Sequence, residues 1–287
     1  MSLAGLLKDA KIVFRSTSIS DFLVLSALPL VMFCLMFVPA RISDLLKLNL
    51  NSPKWWQFFT NSFFHAGWKH FLFNALMYFL IVIPSFLFSA YSGKKHIYYK
   101  MYAAACGAYP IASLLVGSIS SQFYFKIMFP KTYLMNAHQV SGSSGIVASL
   151  MGILPFVFLS RYHAEVSFKN KMFFLSLLYC VAIFILIYGS VSYKVLSIIA
   201  FLIVLIILLS STAYLKIFLK SIRKDLRANR FLGFLSLLLP LFFIGAPFAL
   251  FPNLNKLASE GMLVNFGGHY FGLILGILAG SIVFETM

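Results

Sequence analysis

Acid is what this sequence has least of. Seven Asp and Glu stand against 23 Lys and Arg in 287 residues, and charged residues of both signs make up only 10%. A soluble globular chain carries about 25% charged and about 45–50% apolar residues. Here 61% are hydrophobic and mean hydropathy is +0.93, which excludes a soluble domain and defines an integral, multi-pass membrane protein. Cysteine is scarce too. Cys34, Cys106 and Cys180 all lie in apolar runs, so neither a disulfide framework nor a metal site is expected. HExxH is missing, because alanine follows His65, and this argues against a metalloprotease. No cofactor is expected. No long polar linker divides the chain, so 1–287 is read as a single domain.

What is abundant is apolar length and positive charge. The length fits eight spans of about twenty residues, read at 22–39, 68–90, 98–119, 143–159, 172–190, 195–215, 231–251 and 266–284. The fold class is therefore all-α and polytopic. Met1 to Ser20 holds Lys8, Lys11 and Arg15 among scattered apolar residues, without the apolar core of a signal peptide. It reads as a helix on the cytoplasmic membrane surface. The net charge of +16 suits nucleic acid or membrane topology. Its distribution favours topology. With the N-terminus inside, 15 Lys and Arg fall inside and eight outside. The densest run, Lys216 to Arg230, then reads as a membrane-side anchor, and no nucleic-acid partner is expected. The aromatic segment Trp55 to Thr60 reads as a loop in the headgroup zone.

Three polar stretches interrupt the apolar pattern. Gly142-Ser143-Ser144-Gly145 sets a serine between glycines at the mouth of the fourth span. Such a serine can occupy a tight turn with its hydroxyl presented to a substrate. Small residues also serve plain helix packing. The second stretch begins the second span, where His70 and Asn74 lie four apart on one helix face and His65 precedes them. Both side chains carry donors suited to an oxyanion, and polar groups inside spans are costly enough to mark function. The third is the eighth span, with Gly268, Gly272, Gly276 and Gly280 every four residues and His269 beside them. This stripe is expected to pack on Ser144, Ala148 and Gly152 of the fourth span, bringing His269 near Ser144. In the topology above, the second, fourth and eighth spans run the same way, so Ser144, His269, His70 and Asn74 share one depth. No acid lies inside a span to orient the histidine, so hydrolysis would run on a Ser–His dyad.

Together these stretches resemble the rhomboid family of intramembrane serine proteases. His65, His70 and Asn74 match the family's spacing of two histidines and an asparagine. Gly142-Ser143-Ser144-Gly145 matches its Gly-x-Ser-Gly box, and His269, Gly272 and Gly276 match its histidine with glycines three and seven residues on. The resemblance implies Ser144 as nucleophile and His269 as general base and acid. It implies an oxyanion hole of His70, Asn74 and the Ser144 backbone N–H, and a structural His65 tying the first loop to the bundle. The substrates it implies are the transmembrane segments of other membrane proteins, cut near the outer surface. Asn136, His138, Gln139, Ser141 and Ser143 would supply a polar approach for water.

The chain departs from the pattern in three places. Trp56-Gln57 stands where many relatives have Trp-Arg, so a loop contact is expected to be missing. Ala148 stands where some relatives place an aromatic against the catalytic histidine. Three spans rather than one separate the serine and histidine helices, giving a six-helix core with two inserted spans, 195–215 and 231–251, expected at its edge. A catalytically inactive relative that binds membrane helices is the alternative reading. A transporter with broken helices is a third, weakened by the lack of a repeat and of charges in the spans. The absence of a transit-type leader leads to a prokaryotic plasma membrane as the expected location.

Overall fold

The computed structural model describes residues 3–65, 67–119, 121, 139–140, 142–161, 173, 175–180, 198, 202, 212–250, 258–259, 262–263 and 266–285. The core is a bundle around one central helix. That helix starts as α7 (Ser144–Gly152) and continues as α8 (Leu154–Arg161). Every residue from Ser144 to Ser160 is buried. Pro155 explains the joint between the two pieces, since it has no N–H for the carbonyl four residues back.

Around this axis stand α5 (Trp68–Tyr91), α6 (Lys95–Ile119), α10 (Arg230–Leu250) and α11 (Phe266–Glu285), all in contact with α7. The runs Trp68–Tyr91, Lys95–Ile119, Ser144–Arg161 and Gly268–Glu285 are long and apolar enough to cross a membrane. The N-terminal part is α1 (Leu3–Phe14), turned by 88° into α2 (Ile19–Leu35). A reciprocal cap starts α2: Asp21 N–H donates to the Ser18 hydroxyl, and Ser18 N–H donates to the Asp21 carboxylate. Pro29 inside α2 leaves the Leu25 carbonyl without its helical donor. The Tyr78 hydroxyl of α5 supplies one at 2.6 Å and also pairs with Tyr102 of α6. A proline deficit on one helix thus stitches three together, which is how such breaks survive in hydrocarbon.

Two findings go beyond the sequence reading. The span at 231–251 was expected at the edge; α10 packs one face against α1, α5, α7 and α8. Its Leu232, Leu235, Leu239 and Phe243 are buried while Phe234, Leu237, Leu241 and Ile244 face outward. One face therefore packs on the bundle while the other, equally apolar, is left for lipid, which is the pattern of a helix at the rim of a membrane bundle. Ahead of α10, the basic run forms a helix of its own, α9 (Thr212–Ala228). Most of the spans at 172–190 and 195–215 lies outside the described residues.

A small sheet also closes the site end of the bundle. Strands β1 (Leu48–Asn49), β2 (Gln139–Val140), β3 (Ala258–Ser259) and β4 (Met262–Leu263) lie in the order β1-β2-β4-β3. β2 runs antiparallel to β1 and parallel to β4, with Val140 opposite Leu263. Two-residue strands carry no periodicity, so hydropathy could not show them.

The closest contact in the fold is between α7 and α11. A Cβ at Gly272 would overlap the Gly145 carbonyl oxygen, and one at Gly276 the Ser149 carbonyl oxygen. Gly152 answers from the other side, where a Cβ would sit 2.6 Å from Ile277 N and 2.8 Å from the Gly276 carbonyl carbon. The constant register makes the helices parallel. The expected face Ser144–Ala148–Gly152 therefore keeps Gly152, while its first two positions are corrected to Gly145 and Ser149, each one residue on. A shift of one residue turns the face by about 100°. Ser144 consequently sits beside the contact line. Gly276→Val is expected to destabilise the fold by about 1–3 kcal/mol or more through overpacking. Gly245→Ala, with nothing within 4 Å of the added carbon, serves as its neutral control in detergent melts.

Candidate active site

Ser144 opens α7, and Ser143 is its N-cap residue. An N-cap serine ordinarily gives its hydroxyl to the first helical turn. Here the Ser143 Oγ is instead 2.9 Å from His65 Nε2, and both side chains are buried. Ser143 was expected in a polar approach for water; it is a buried brace. Of the other four, Asn136, His138 and Ser141 lie outside the described residues, and Gln139 is described only as part of β2.

The brace joins the loop before α5 to the start of the serine helix. A second tie lies alongside, where Gly142 N–H donates to the Asn61 carbonyl at 3.0 Å. Gly142 itself has φ +143°, a conformation that favours glycine. A Cβ there would stand 2.7 Å from His70 Cε1, 3.1 Å from His70 Nε2 and 3.6 Å from Ser144 Oγ. The same small space thus borders both the His70 ring and the Ser144 hydroxyl. His65 meets the His70 ring at 5.4 Å and Phe71 at 5.4 Å, both edge-on.

Asn74 lies one turn further along α5 and is 2% exposed. Its Nδ2 has no hydrogen-bond partner among the described residues. It lines a water-sized cavity of about 10 Å³ with His65, Ser143, Tyr78, Ile146 and Val147. An unused buried donor is expensive to keep in a fold.

His269 stands in the first turn of α11, 3% exposed, one turn before Gly272. Gly272 is the residue that touches Gly145, next to Ser144. Ser144 and His269 therefore flank one backbone contact on parallel helices at the same end of the bundle. The sheet adds to this. β2 leads through a single residue to Gly142, and β4 pairs with it just ahead of α11.

Tyr109 of α6 was not singled out from the sequence. Its ring lies against Gly145 and makes an edge-on contact with Phe271, ring centroids 6.4 Å apart. It thus supports both the serine and the histidine helix, while Ala148 is buried. An aromatic followed by Pro110 within an apolar span was the only available signal, and it is weak.

Gln57 corrects another expectation. Its Oε1 accepts from Asn49 N–H at 3.3 Å and Lys54 N–H at 3.0 Å, and its Nε2 donates to the Leu45 carbonyl at 3.1 Å. The first loop is therefore held by the residue thought to leave it slack. A short planar amide meets three backbone groups of a tight loop. Phe58 beside it is 2% exposed and presses on Gly117 of α6, while Trp55 stays exposed.

The acids fall elsewhere. Asp21 pairs with Lys95, Asp44 with Lys47, and Asp225 with Arg161, while Asp9 accepts from Arg230 N–H. Glu165 and Glu260 lie outside the described residues. Among the described residues, no group of three His, Cys, Asp or Glu is placed to hold a metal.

The fold and these residues define a polytopic helical membrane protein with a serine, two histidines and an asparagine gathered at one end. Residues 52–216 match the family model of the Rhomboid domain. The match covers more than half of the chain, which therefore belongs to the rhomboid family. It takes in His65, His70, Asn74 and Ser144 and stops short of His269. Neither the curated proteins nor the solved structures contain a match.

Burial, with neighbouring His70 adding to it, pushes the His65 imidazole in this loop from 6.5 down to about 3. Between these values the unfolded chain binds a proton that the folded chain refuses. Stability should therefore fall as pH drops from 6.5 towards 3. His65→Gln keeps a hydrogen-bonding group for Ser143 and removes the titration. Its melting temperature is expected to depend less steeply on pH than that of wild type; parallel curves would remove His65 from this account.

Proposed function

We propose that the chain is an intramembrane serine endopeptidase that cleaves transmembrane segments of other membrane proteins through Ser144 and His269. The observation that carries this reading is the close backbone contact of Gly145 with Gly272, beside which the serine and the histidine stand. Family membership supports the reaction class.

In this mechanism the His269 imidazole takes the Ser144 hydroxyl proton as Oγ attacks the scissile carbonyl. The tetrahedral oxyanion accepts hydrogen bonds from Ser144 N–H, from the His70 ring and from Asn74 Nδ2, a buried donor without a partner among the described residues. His269 then returns the proton to the leaving amine, and water repeats the sequence on the acyl-enzyme. Burial of Ser144 and His269 shields the proton transfer from bulk water. His65 and Gly142 hold the serine turn, and Gly272 and Gly276 hold the histidine helix. The N-terminus lies on the cytoplasmic side of a prokaryotic plasma membrane, which puts the Ser144 end of the bundle in the outer leaflet.

The test is labelling of purified protein by a serine-directed fluorophosphonate, with cleavage of a model transmembrane substrate alongside. Wild type is expected to label, and Ser144→Ala and His269→Ala each to abolish cleavage. Asn74→Ala is expected to lower turnover by roughly 10²–10³-fold, the usual loss of one oxyanion donor. A well-folded wild type that neither labels nor cleaves would transfer the chain to the helix-binding reading.

A further inference from the structure

At the end of the bundle remote from Ser144, α9 presents a cationic face that peptide hydrolysis does not use. The placement follows from the chain itself. α8 ends at Arg161, whose guanidinium donates to the Asp225 carboxylate of α9 at 2.8 and 3.2 Å and to the Ser92 hydroxyl beyond α5 at 2.7 Å. Asp225 is 2% exposed and also accepts from the Ser236 hydroxyl of α10. Ile222 is buried on the same side. These contacts fix the rotation of α9 about its own axis.

With that rotation set, Lys220, Arg223, Lys224 and Arg227 are all exposed. At 3.6 residues per turn they fall within an arc of about 100°. Leu219 and Leu226 flank the arc on one edge and are 43% and 45% exposed. The four cations and Leu219 line an open cleft of about 620 Å³.

A second basic element adjoins it. α1 exposes Lys8 and Lys11, and Arg15 is exposed directly after it. The helix is held at the junction of α9 and α10, where Asn229 Nδ2 donates to the Asp9 carbonyl at 3.1 Å and Arg230 N–H to the Asp9 carboxylate at 2.9 Å. None of these seven cations takes part in an ion pair among the described residues. The acids nearby, Asp9 and Asp225, are turned to backbone and to Arg161.

We infer that this face of α9 is a docking surface for the headgroups of anionic phospholipids. A phosphodiester supplies the negative charge that four clustered cations lack. The acyl chains below it give Leu219 and Leu226 an apolar surface to rest on. Cations snorkelling above an apolar edge form the pattern of a helix lying in a charged membrane interface. A nucleic acid would leave both exposed leucines in water, where an acyl layer would cover them. The inference does not depend on the chain being a protease.

Purified full-length protein in nonionic detergent is incubated with equal amounts of phosphatidylglycerol and phosphatidylcholine of the same acyl chains. Retained lipid is counted by native mass spectrometry. Wild type is expected to retain phosphatidylglycerol roughly tenfold over phosphatidylcholine, the scale set by clustered cations. The variant K220Q/R223Q/K224Q/R227Q is expected to bring the ratio close to one with an unchanged melting temperature. K220R/R223K/K224R/R227K, with its charge intact, is expected to keep the preference. A wild-type ratio near one, or a preference that survives the four glutamines, would overturn the inference. Displacement of the lipid by millimolar inorganic phosphate would assign the face to a soluble anion instead. Displacement by a short oligonucleotide would assign it to nucleic acid. Either result overturns it as well.

Discussion

Carbonyl oxygens of α7 lie where side chains of α11 would otherwise be, and the rest of the site depends on that approach. Hydrocarbon gives helices little hydrophobic reason to associate, so shape and close backbone contact must do the work. Gly272 and Gly276 remove the side chains that would hold the helices apart, and Gly145 and Gly152 lie on the matching line of α7. Because the register is constant over two turns, the contact also sets relative height. A sliding helix would meet the next carbonyl with a Cβ. Ser144 and His269, each within a turn of the first contact, are thereby held at one level without a direct tether.

Around that contact, polar groups are used as clamps. His65 and Ser143 join the first loop to the serine turn, and Gln57 closes the loop on itself. Tyr78 takes the carbonyl that Pro29 releases. Arg161, Asp225, Ser92 and Ser236 do the same service at the far end of the central helix. Each joins separate elements through hydrogen-bonded polar side chains, and such networks rigidify a fold. Asn74 Nδ2 is among the buried polar atoms without a hydrogen-bond partner in the described residues, and it stands where the proposed chemistry needs a donor.

Much of the architecture was legible before any coordinates. Spans read at 68–90, 98–119 and 266–284 correspond to helices at Trp68–Tyr91, Lys95–Ile119 and Phe266–Glu285. Twenty apolar residues in a row leave the backbone little choice, because a helix satisfies its own hydrogen bonds. The motif residues were legible for a related reason. A histidine or asparagine stands out against an apolar background, and glycines at every fourth place advertise a face. Less visible were features of one or two residues: the two-residue strands, the Gln57 hub, Tyr109 against Gly145. Which side of α10 meets the bundle was not legible either, because its packed and outward faces are both apolar.

Composition and spacing by themselves thus determined that this is a helical membrane protein of many spans, and which polar residues line up with the motifs of the family it resembles. Both follow from local rules: hydrocarbon dictates helix, and spacing dictates the face of a helix. Only the tertiary structure decided which face meets which. It moved the start of the serine helix's contact line by one residue, from Ser144 and Ala148 to Gly145 and Ser149. It turned Ser143 from a water-facing group into a brace, and set the cations of α9 outward by burying Asp225. Rotation of a helix about its axis costs nothing until a neighbour arrives, so it is fixed by contacts from distant parts of the chain.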